Sequence, residues 1–450
     1  MQPVRPGTRL ILDAQVRRFH GDRILLGGAP LRLLRLSPAG AGYLRGWLAG
    51  KPVGDDQGEQ RLARRLIDAG LAHPRPVGGR YSATDVTLVV PVKDDAEGAA
   101  AVVNAVGNVA DRIVVDDGSA VPLPSAAVRH ERPRGPAAAR NAGWRLARTE
   151  LVAFLDADTR PAADWLDAVL PHFDDPCVAA VAPRVRSLPG EGGIARYEED
   201  RSSLDMGAEP GRVQPLSRIG YVPSAALVVR RSALAAVGGF DEDLRYGEDV
   251  DFVWRLIDAG YTVRYEPAST VAHLPRPDVR SWLRQRFDYG TSAAPLAQRH
   301  PGRLTCAQLT LSSALEWGLA ASGFAPAAAA VALVDATRTA ARLRRRGIPG
   351  DESWRLVLGG SAATGGMLAA AVRRGWWPLA VVTRRGRRVL LASLLPCLLE
   401  AAKHPKSVRW AALRIADDIA YGVGVWVGCL RYRTPDPLLP RRYRFSPRTF

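Results

Sequence analysis

The sequence is poor in cysteine, and this shortage excludes two classes of small scaffold. Its 450 residues include four cysteines, which lie far apart and form no CxxC pair. This spacing argues against a disulfide framework and against a zinc ribbon, and it suits a reducing compartment. The N-terminal stretch has no apolar run long enough for a signal peptide, so we expect the chain to begin in the cytoplasm.

Lysine is also scarce. Only four residues are lysine, so arginine supplies nearly all of the positive charge behind the formal net charge of +17. Residues 301–450 hold 23 Lys and Arg against 8 Asp and Glu, an excess of 15, so the imbalance lies in the last third. A basic region of this kind favours contact with anionic lipid. We predict no nucleic-acid partner, because the sequence has no basic groove interleaved with aromatic residues and no zinc-finger spacing.

The pattern of residues 1–80 predicts a small module of short strands followed by two helices. Ser37 caps the first helix with Pro38 at its first position, and Gly70 ends the second helix. This order resembles the winged-helix modules that recognise ribosomally made precursor peptides. A scaffolding domain without a ligand is the alternative interpretation.

Residues 84–300 alternate strand and helix, which predicts an α/β fold with a parallel sheet and helices on both faces. Ligands bind beyond the carboxyl ends of the strands in such sheets. Two acidic clusters, Asp116–Asp117 and Asp156–Asp158, follow strands directly at those ends. There is no GxxxxGK[ST] and no GxGxxG after the first strand, so a bound phosphate would be held by a metal ion rather than by a glycine-rich loop.

The pair Asp156 and Asp158 closes a buried strand, "VAFL". Two carboxylates at such a place repel each other, so one takes a proton or a cation lies between them. A hard divalent ion with a phosphate-bearing ligand is the natural partner. The alternative is a surface turn, in which aspartate is common.

Read together, the motifs of residues 85–300 resemble the family-2 glycosyltransferases, which are inverting enzymes of the GT-A fold. Six segments match in the family's order: "VVPVKD", "VVDDGS", "RGPAAARNAG", "LDAD", "GGFDE" and "GEDVDFVWRLIDAGY". The resemblance implies a Rossmann-like, nucleotide-sugar-binding GT-A domain. Lys93 and Asp94 replace the family's commoner Tyr-Asn. The Arg-rich segment "WLRQRFDYG" ends in "RFDYG" and lacks the tryptophan that processive synthases carry there, which disfavours a long-chain polymerase.

The resemblance also implies a role for each matching residue. Asp249 would be the general base for the acceptor hydroxyl, with support from Glu248 and Asp251. Asp158 would coordinate Mg²⁺ or Mn²⁺, and His273 would be a further ligand. The residues implied to contact the nucleotide-sugar donor are Pro91, Val92, Asp116, Asp117, Arg140, Asp156, Arg284 and Arg286.

Each of these assignments has a plainer alternative. Acids at the start of a helix, as in "GEDVD", are also typical of ordinary N-capping. A single histidine such as His273 is commonly structural, and Arg284 with Arg286 is also typical of a solvated basic face.

Residues 301–450 are predicted to be helical and rich in Ala and Leu. None of the apolar stretches is an uninterrupted span of about twenty residues. Trp376 and Trp377 beside arginines indicate an interfacial belt. We therefore expect one or two membrane-inserted segments, or helices on the cytoplasmic leaflet, and place the chain at the cytoplasmic face of the cell membrane. A soluble cytoplasmic bundle is the alternative.

The whole layout resembles the glycosyltransferases of mycofactocin biosynthesis. That resemblance implies transfer of glucose from UDP-glucose onto a peptide-derived redox cofactor precursor, forming a short β-linked oligosaccharide. Two alternatives stay open: a family-2 transferase with a lipid-linked or cell-wall glycan acceptor, and a binding protein without catalytic activity.

Overall fold

The computed structural model describes residues 3–28, 30–76, 78–404 and 407–442. These residues form two compact units, and the division falls between Pro275 and Arg276. The predicted boundary at residue 300 therefore lies inside the second unit. The predicted regions 1–80 and 301–450 both extend into residues outside the described ones.

The first unit contains fourteen of the described strands and seven of the described helices. Its strands are β1 (Arg9–Leu12), β2 (Arg17–Phe19), β3 (Ile24–Gly27), β4 (Arg32–Arg35), β5 (Ala72–Arg75), β6 (Val86–Val92), β7 (Asp111–Asp116), β8 (Val128–Arg129), β9 (Leu151–Leu155), β10 (Thr159–Pro161), β11 (Val178–Ser187), β12 (Gly211–Arg212), β13 (Ala226–Arg230) and β14 (Thr262–His273). Its helices are α1 (Pro38–Leu48), α2 (Gln57–Asp68), α3 (Ala96–Ala105), α4 (Pro136–Leu146), α5 (Gly193–Arg201), α6 (Arg231–Val237) and α7 (Glu248–Asp258).

The N-terminal part of this unit has its own hydrophobic core. Strands β2, β3 and β4 form an antiparallel sheet, while β1 pairs with β5. Leu25, Leu44 and Leu66 bring β3, α1 and α2 together in one buried cluster. The predicted start of α1 is confirmed, because Ser37 Oγ accepts a hydrogen bond from Gly40 N at 3.0 Å and Pro38 is the first helical residue.

The remaining nine strands form one mixed sheet in the order β10-β14-β11-β13-β9-β6-β7-β8, with β12 paired to β14. Strands β9, β6 and β7 run parallel, as predicted, and the short strand β8 pairs parallel to β7. The expectation of a wholly parallel sheet is wrong, because β13 lies antiparallel between β9 and β11. The α/β fold class with Rossmann-like parallel strands is confirmed.

The central strands are apolar throughout because both faces of the sheet are covered. All five residues of β9 are buried, and so are all five of β13. Polar side chains can therefore face solvent only where these strands end, and Asp156 follows the last residue of β9 directly. The carboxyl ends of β6, β7 and β9 meet at the same edge, which is where the candidate site is found.

The second unit is mainly helical. Its elements are α8 (Val279–Thr291), α9 (Ala293–Arg299), β15 (Gln308–Leu309), α10 (Leu311–Ala321), α11 (Ala325–Arg345), α12 (Gly350–Ala371), α13 (Trp377–Ala380), α14 (Arg384–Ser393), α15 (Leu395–Ala401), α16 (Ser407–Tyr432) and β16 (Arg441–Arg442). In the part of the chain that the structure describes, one helical stretch, Gly350–Ala380, is long and apolar enough to cross a membrane, with a mean hydropathy of 1.3. Length and composition alone are weak evidence for a span.

Candidate active site

Asp116 and Asp117, at the end of β7, organise the loops around them. Asp116 is fully buried and accepts hydrogen bonds from Ser119 N at 2.8 Å, Leu123 N at 3.2 Å and the Arg129 guanidinium. Burial raises the pKa of Asp116, but the hydrogen bonds from Ser119, Leu123 and Arg129 outweigh burial and lower it to about 2. Its carboxylate therefore stays ionised and holds the loop.

Asp117 connects the end of β7 to the start of α4. Its Oδ1 lies 2.7 Å from His130 Nδ1 and accepts a hydrogen bond from Arg134 N at 2.9 Å, while Oδ2 accepts one from Gly135 N at 2.8 Å. Gly135 caps α4 at a φ of 96°, a backbone conformation that favours glycine. Direct contact of Asp116 and Asp117 with a nucleobase stays a prediction, since the structure shows their bonds within the protein.

The loop after β6 is hydrogen-bonded to the loop that follows β7. Pro91 is half-buried and Val92 is buried, and Val92 O accepts a hydrogen bond from Asp117 N at 2.8 Å. Asp94 has a φ of 56°, and its Oδ1 accepts a hydrogen bond from Ala120 N at 2.7 Å. The departure from the family pattern at Lys93-Asp94 therefore supplies a residue that joins two loops of the site.

Arg140 lies at the centre of an ion-pair cluster. It is 3% exposed, its Nη2 donates to Asp156 Oδ1 at 2.7 Å and its Nη1 donates to Glu248 Oε1 at 2.8 Å. Burial lowers the pKa of Arg140, but the charges of Asp156 and Glu248 outweigh it and raise the pKa above its usual value. Arg140 therefore joins the end of β9 to the start of α7, and its predicted contact with a donor would add to these two bonds.

The small residues of α4 place Arg140 there. A Cβ at Gly143 would lie 2.4 Å from Val89 Cγ1 of β6, so glycine allows the helix to approach the sheet closely. Because Arg140 is one turn before Gly143, its side chain reaches the edge where β9 ends.

Glu248 and Asp249 open α7 side by side. Loss of hydration, together with the charge of Asp249, raises the pKa of Glu248 to about 7, although Arg140 opposes the shift. Loss of hydration also raises the pKa of Asp249, with Arg140 and the backbone N–H groups of Val250 and Ser224 opposing it. A carboxylate with a raised pKa is a better proton acceptor than an ordinary aspartate, as general-base chemistry requires.

Asp251 has a structural position. It is 2% exposed, and its Oδ2 accepts a hydrogen bond from Arg255 Nε at 2.6 Å. Arg255 also donates to the carbonyls of Val237 and Gly239 at 2.6 and 2.7 Å. Asp251 thus fixes the loop between α6 and α7, which fits its predicted role as support for Asp249.

Two residues that the sequence analysis did not identify, Asn141 and Glu242, hold the same loop between α6 and α7. Asn141 Nδ2 donates to Phe240 O at 2.8 Å and to Glu242 Oε1 at 2.9 Å, and Phe240 N donates back to Asn141 Oδ1 at 2.9 Å. Both residues stand next to motifs in the sequence, since Asn141 follows Arg140 in "ARNAG" and Glu242 follows "GGFD".

Asp158 and His273 form the candidate metal centre. Asp158 Oδ1 lies 3.3 Å from His273 Nε2, at the edge where β10 pairs antiparallel with β14. A carboxylate and an imidazole fit Mn²⁺, and the carboxylate fits Mg²⁺. Within the described residues no group of three or more His, Cys, Asp or Glu side chains could hold a metal ion. A bound ion would therefore need donor oxygens from substrate and water, as is usual for Mg²⁺ with phosphates.

Arg284 and Arg286 lie on α8 in the second unit. The Arg284 side chain is 72% exposed, with Nε 3.5 Å from Asp288 Oδ2. Arg286 is buried, with Nε 3.3 Å from Asp417 Oδ1 of α16. Their contact with a donor stays a prediction, and Arg286 already has a structural role within the helical unit.

Helix α4 brings most of the predicted residues into one connected arrangement. Its first turn is held by Asp117, and Arg140 reaches Asp156 and Glu248. Thr159 N donates to Asp156 O at 3.0 Å, so the segment that carries Asp156 also fixes Asp158 beside His273. Acids from the ends of β7 and β9 and from α7 are thus joined through one helix and one turn.

Three comparisons with known proteins bear on this arrangement. The family model for glycosyl transferase family 2 matches residues 87–238. The pre-mycofactocin glycosyltransferase of Mycobacterium tuberculosis (strain H37Rv) is 41% identical over 467 residues, covering 97% of this chain and 98% of that protein. The N-acetylglucosaminyl-diphospho-decaprenol L-rhamnosyltransferase of the same organism is 35% identical over 129 residues, covering 27% of this chain and 41% of that protein.

Solved structures are more distant. A mannosyltransferase from Pyrobaculum calidifontis, in complex with GDP-mannose and Mn²⁺, is 17% identical and covers 86% of this chain and 96% of that one, with a TM-score of 0.42.

Proposed function

The chain belongs to glycosyl transferase family 2, and from this premise we propose that it transfers glucose from UDP-glucose onto a peptide-derived redox cofactor precursor of the mycofactocin type. The product would be a short β-linked oligosaccharide. One observation carries the proposal: the 41% identity to the pre-mycofactocin glycosyltransferase covers 97% of this chain. It therefore includes the N-terminal module and the helical region, which lie outside the family model's match.

The chemistry of the site supports an inverting displacement. Asp249 would take the proton of the acceptor hydroxyl as that oxygen attacks the sugar from the face opposite the diphosphate. Glu248 and Arg140 would position Asp249, and Asp251 would hold the loop behind it. A divalent ion held by Asp158 and His273 would offset the charge that develops on the departing diphosphate.

Donor binding is proposed at the edge where β6, β7 and β9 end. Pro91 and Val92 would line the nucleotide pocket, with Asp116 and Asp117 at the nucleobase and ribose. Asp156 would contact the sugar nucleotide directly.

We propose likewise that Arg140, Arg284 and Arg286 contact the donor near its diphosphate. Arg286 would have to exchange its ion pair with Asp417 to do so.

A second acceptor class is favoured by one comparison. The rhamnosyltransferase similar to this chain is named for a decaprenol-linked acceptor. An acceptor screen with radiolabelled UDP-glucose and the purified full chain separates the two proposals. Label in the small-peptide precursor fraction supports the first, label only in the lipid fraction supports the second, and label in neither contradicts both.

The raised pKa values of Glu248 and Asp249 predict that sugar transfer slows at acidic pH, which sets an acid limit to activity. Because both pKa values are raised, Glu248 to about 7, we expect kcat/KM to fall as the pH drops through the range between an ordinary carboxyl pKa and about 7. Glu248→Gln removes one carboxyl of the coupled pair and should move this limit to lower pH. Measuring kcat/KM against pH for both proteins checks the prediction; identical profiles would contradict it.

We propose that the second unit associates with lipid at the cytoplasmic face of the cell membrane. Large apolar side chains are exposed on α10 to α15, among them Leu315, Phe324, Leu333, Leu358, Leu391, Leu395 and Leu399. Arginines stand beside them at the start of α14, where anionic head groups would neutralise them.

Washing membranes from expressing cells tests the association. We expect the chain to stay in the pellet in 1 M salt, a concentration at which surface charge interactions are screened to roughly 3 Å. Carbonate wash then separates insertion from peripheral binding. A chain found wholly in the supernatant before any wash would contradict lipid association.

A further inference from the structure

Residues 220–225, which lead into β13, contact both of the acids between which sugar transfer is proposed to occur. Ser224 N donates to Asp249 Oδ2 at 3.4 Å, on the acceptor side. Asp156 N donates to Ala225 O at 3.0 Å, on the donor side. In an inverting displacement the base acts on the face of the sugar opposite the leaving group. Two consecutive residues of this segment therefore lie next to the place that the sugar would occupy.

The segment is also held at its start. Trp254 Nε1 of α7 donates to Gly220 O at 2.8 Å. The residues from Val222 onwards are buried as far as the end of β13. The helix that carries the proposed base and the strand beside β9 thus fix the segment from both ends, so that its side chains keep their positions relative to the acids.

Ser224 is the one polar residue in the buried run "VPSAALVV" of residues 222–229. It is 1% exposed, and its hydroxyl makes no hydrogen bond with any residue that the structure describes. Buried hydroxyls normally have a partner, because leaving water without a replacement hydrogen bond costs free energy. The hydroxyl of Ser224 therefore needs a partner that the described part of the chain does not supply.

Other buried serines of the same unit are bonded within the protein. Ser119 Oγ accepts a hydrogen bond from Asp94 N at 2.9 Å. Ser269 Oγ donates to Trp165 O at 2.5 Å. The open hydroxyl is thus particular to Ser224, whose own backbone N–H contacts the proposed base.

We propose that Ser224 Oγ hydrogen-bonds a hydroxyl of the transferred sugar and so helps to select the sugar of the donor. This inference rests on the proposed function, since it needs a sugar between Asp156 and Asp249. A serine hydroxyl both donates and accepts, as a sugar hydroxyl does, so the two groups match. A site that hydrogen-bonds a substrate hydroxyl also discriminates against a substrate without it, because the buried protein group is then left unpaired.

Ser224→Ala in the full chain tests the proposal. We expect kcat/KM for UDP-glucose to fall several-fold to about tenfold, since one neutral hydrogen bond is lost. The Kd for UDP by calorimetry should stay at the wild-type value, because UDP carries no sugar. The Tm should not fall, because the removed hydroxyl has no bond within the described chain; a purely structural hydroxyl would lower it.

Donor analogues identify the sugar hydroxyl. The same two proteins are compared with UDP-glucose analogues that each lack one hydroxyl of the glucose. Wild type and Ser224→Ala should differ with every analogue except the one that lacks the contacted hydroxyl, with which their kcat/KM values should be equal.

Ser269→Ala is the matched control, because it removes a buried hydroxyl that is bonded within the protein. It should lower the Tm and leave kcat/KM for UDP-glucose at the wild-type value. If Ser224→Ala keeps the wild-type kcat/KM, or loses the same factor with every analogue, the inference is overturned while the proposed function stands. A wild type that releases no UDP from UDP-glucose contradicts the proposed function, and the inference with it.

Discussion

Asp249→Asn is expected to lower kcat for sugar transfer by about 10²- to 10⁴-fold, the usual contribution of a general base. The amide keeps the size of the carboxylate and can still accept the hydrogen bond from Val250 N, which the carboxylate accepts at 2.8 Å. It cannot take the proton of the acceptor hydroxyl. Steady-state rates of UDP release with saturating acceptor measure the loss.

Donor binding separates this effect from a general loss of structure. Calorimetry with UDP-glucose should give a Kd within a few-fold of the wild type, because Asp249 is assigned to the acceptor side. Asp243→Asn, at an exposed position before α7, is the matched control and should keep full activity. Unchanged transfer by Asp249→Asn would remove Asp249 from the mechanism.

Arg140→Met is expected to cost about 3 kcal/mol of stability and to abolish measurable transfer. The change leaves Glu248 buried without its ion-pair partner, and its pKa, already about 7 beside Arg140, rises further. The carboxyl must then be buried either charged and unpaired or with a proton taken up, and removing one partner of a buried pair is the expensive way to break it. Asp156, whose side chain is 29% exposed, should contribute less to the cost because water replaces Arg140 there. Urea denaturation measures the free energy of unfolding, and UDP release measures activity.

A second substitution tests whether the lost stability comes from the unpaired carboxyl of Glu248. In Arg140→Met with Glu248→Gln the unpaired titratable carboxyl is gone, so most of the lost stability should return while activity stays low. Arg145→Met, on the same helix with its side chain 54% exposed, should change neither quantity much. If the double variant is no more stable than Arg140→Met, the ion pair is not what stabilises this part of the fold.

The parallel part of the fold could be predicted because each of its strands is a local pattern. Apolar runs that end in acids, such as "VVDD" and "FLDAD", mark both the strand and the edge at which it stops. The direction of β13 could not be predicted in this way, since "ALVVR" is equally apolar read from either end. Its antiparallel place between β9 and β11 depends on connections that a local pattern does not contain.

The candidate site likewise combines residues that local motifs predict with contacts that only the fold creates. Asp158, His273 and Asp249 follow from motifs, and the structure places Asp158 beside His273. The bond between Arg140 and Glu248 joins residues 108 positions apart, and no local signal links them. In the sequence Asp94 stands out only as a departure from the family pattern, because its positive φ and its bond to Ala120 arise from the fold.

Metal dependence of acceptor-dependent UDP release tests the central claim most directly, namely that the acids at the sheet edge work with a divalent ion in sugar transfer. Wild-type chain treated with EDTA should release no UDP, and added Mn²⁺ or Mg²⁺ should restore release. Asp158→Asn should need a much higher concentration of the ion. UDP release that continues unchanged in EDTA, with Asp158→Asn as active as the wild type, would contradict the account.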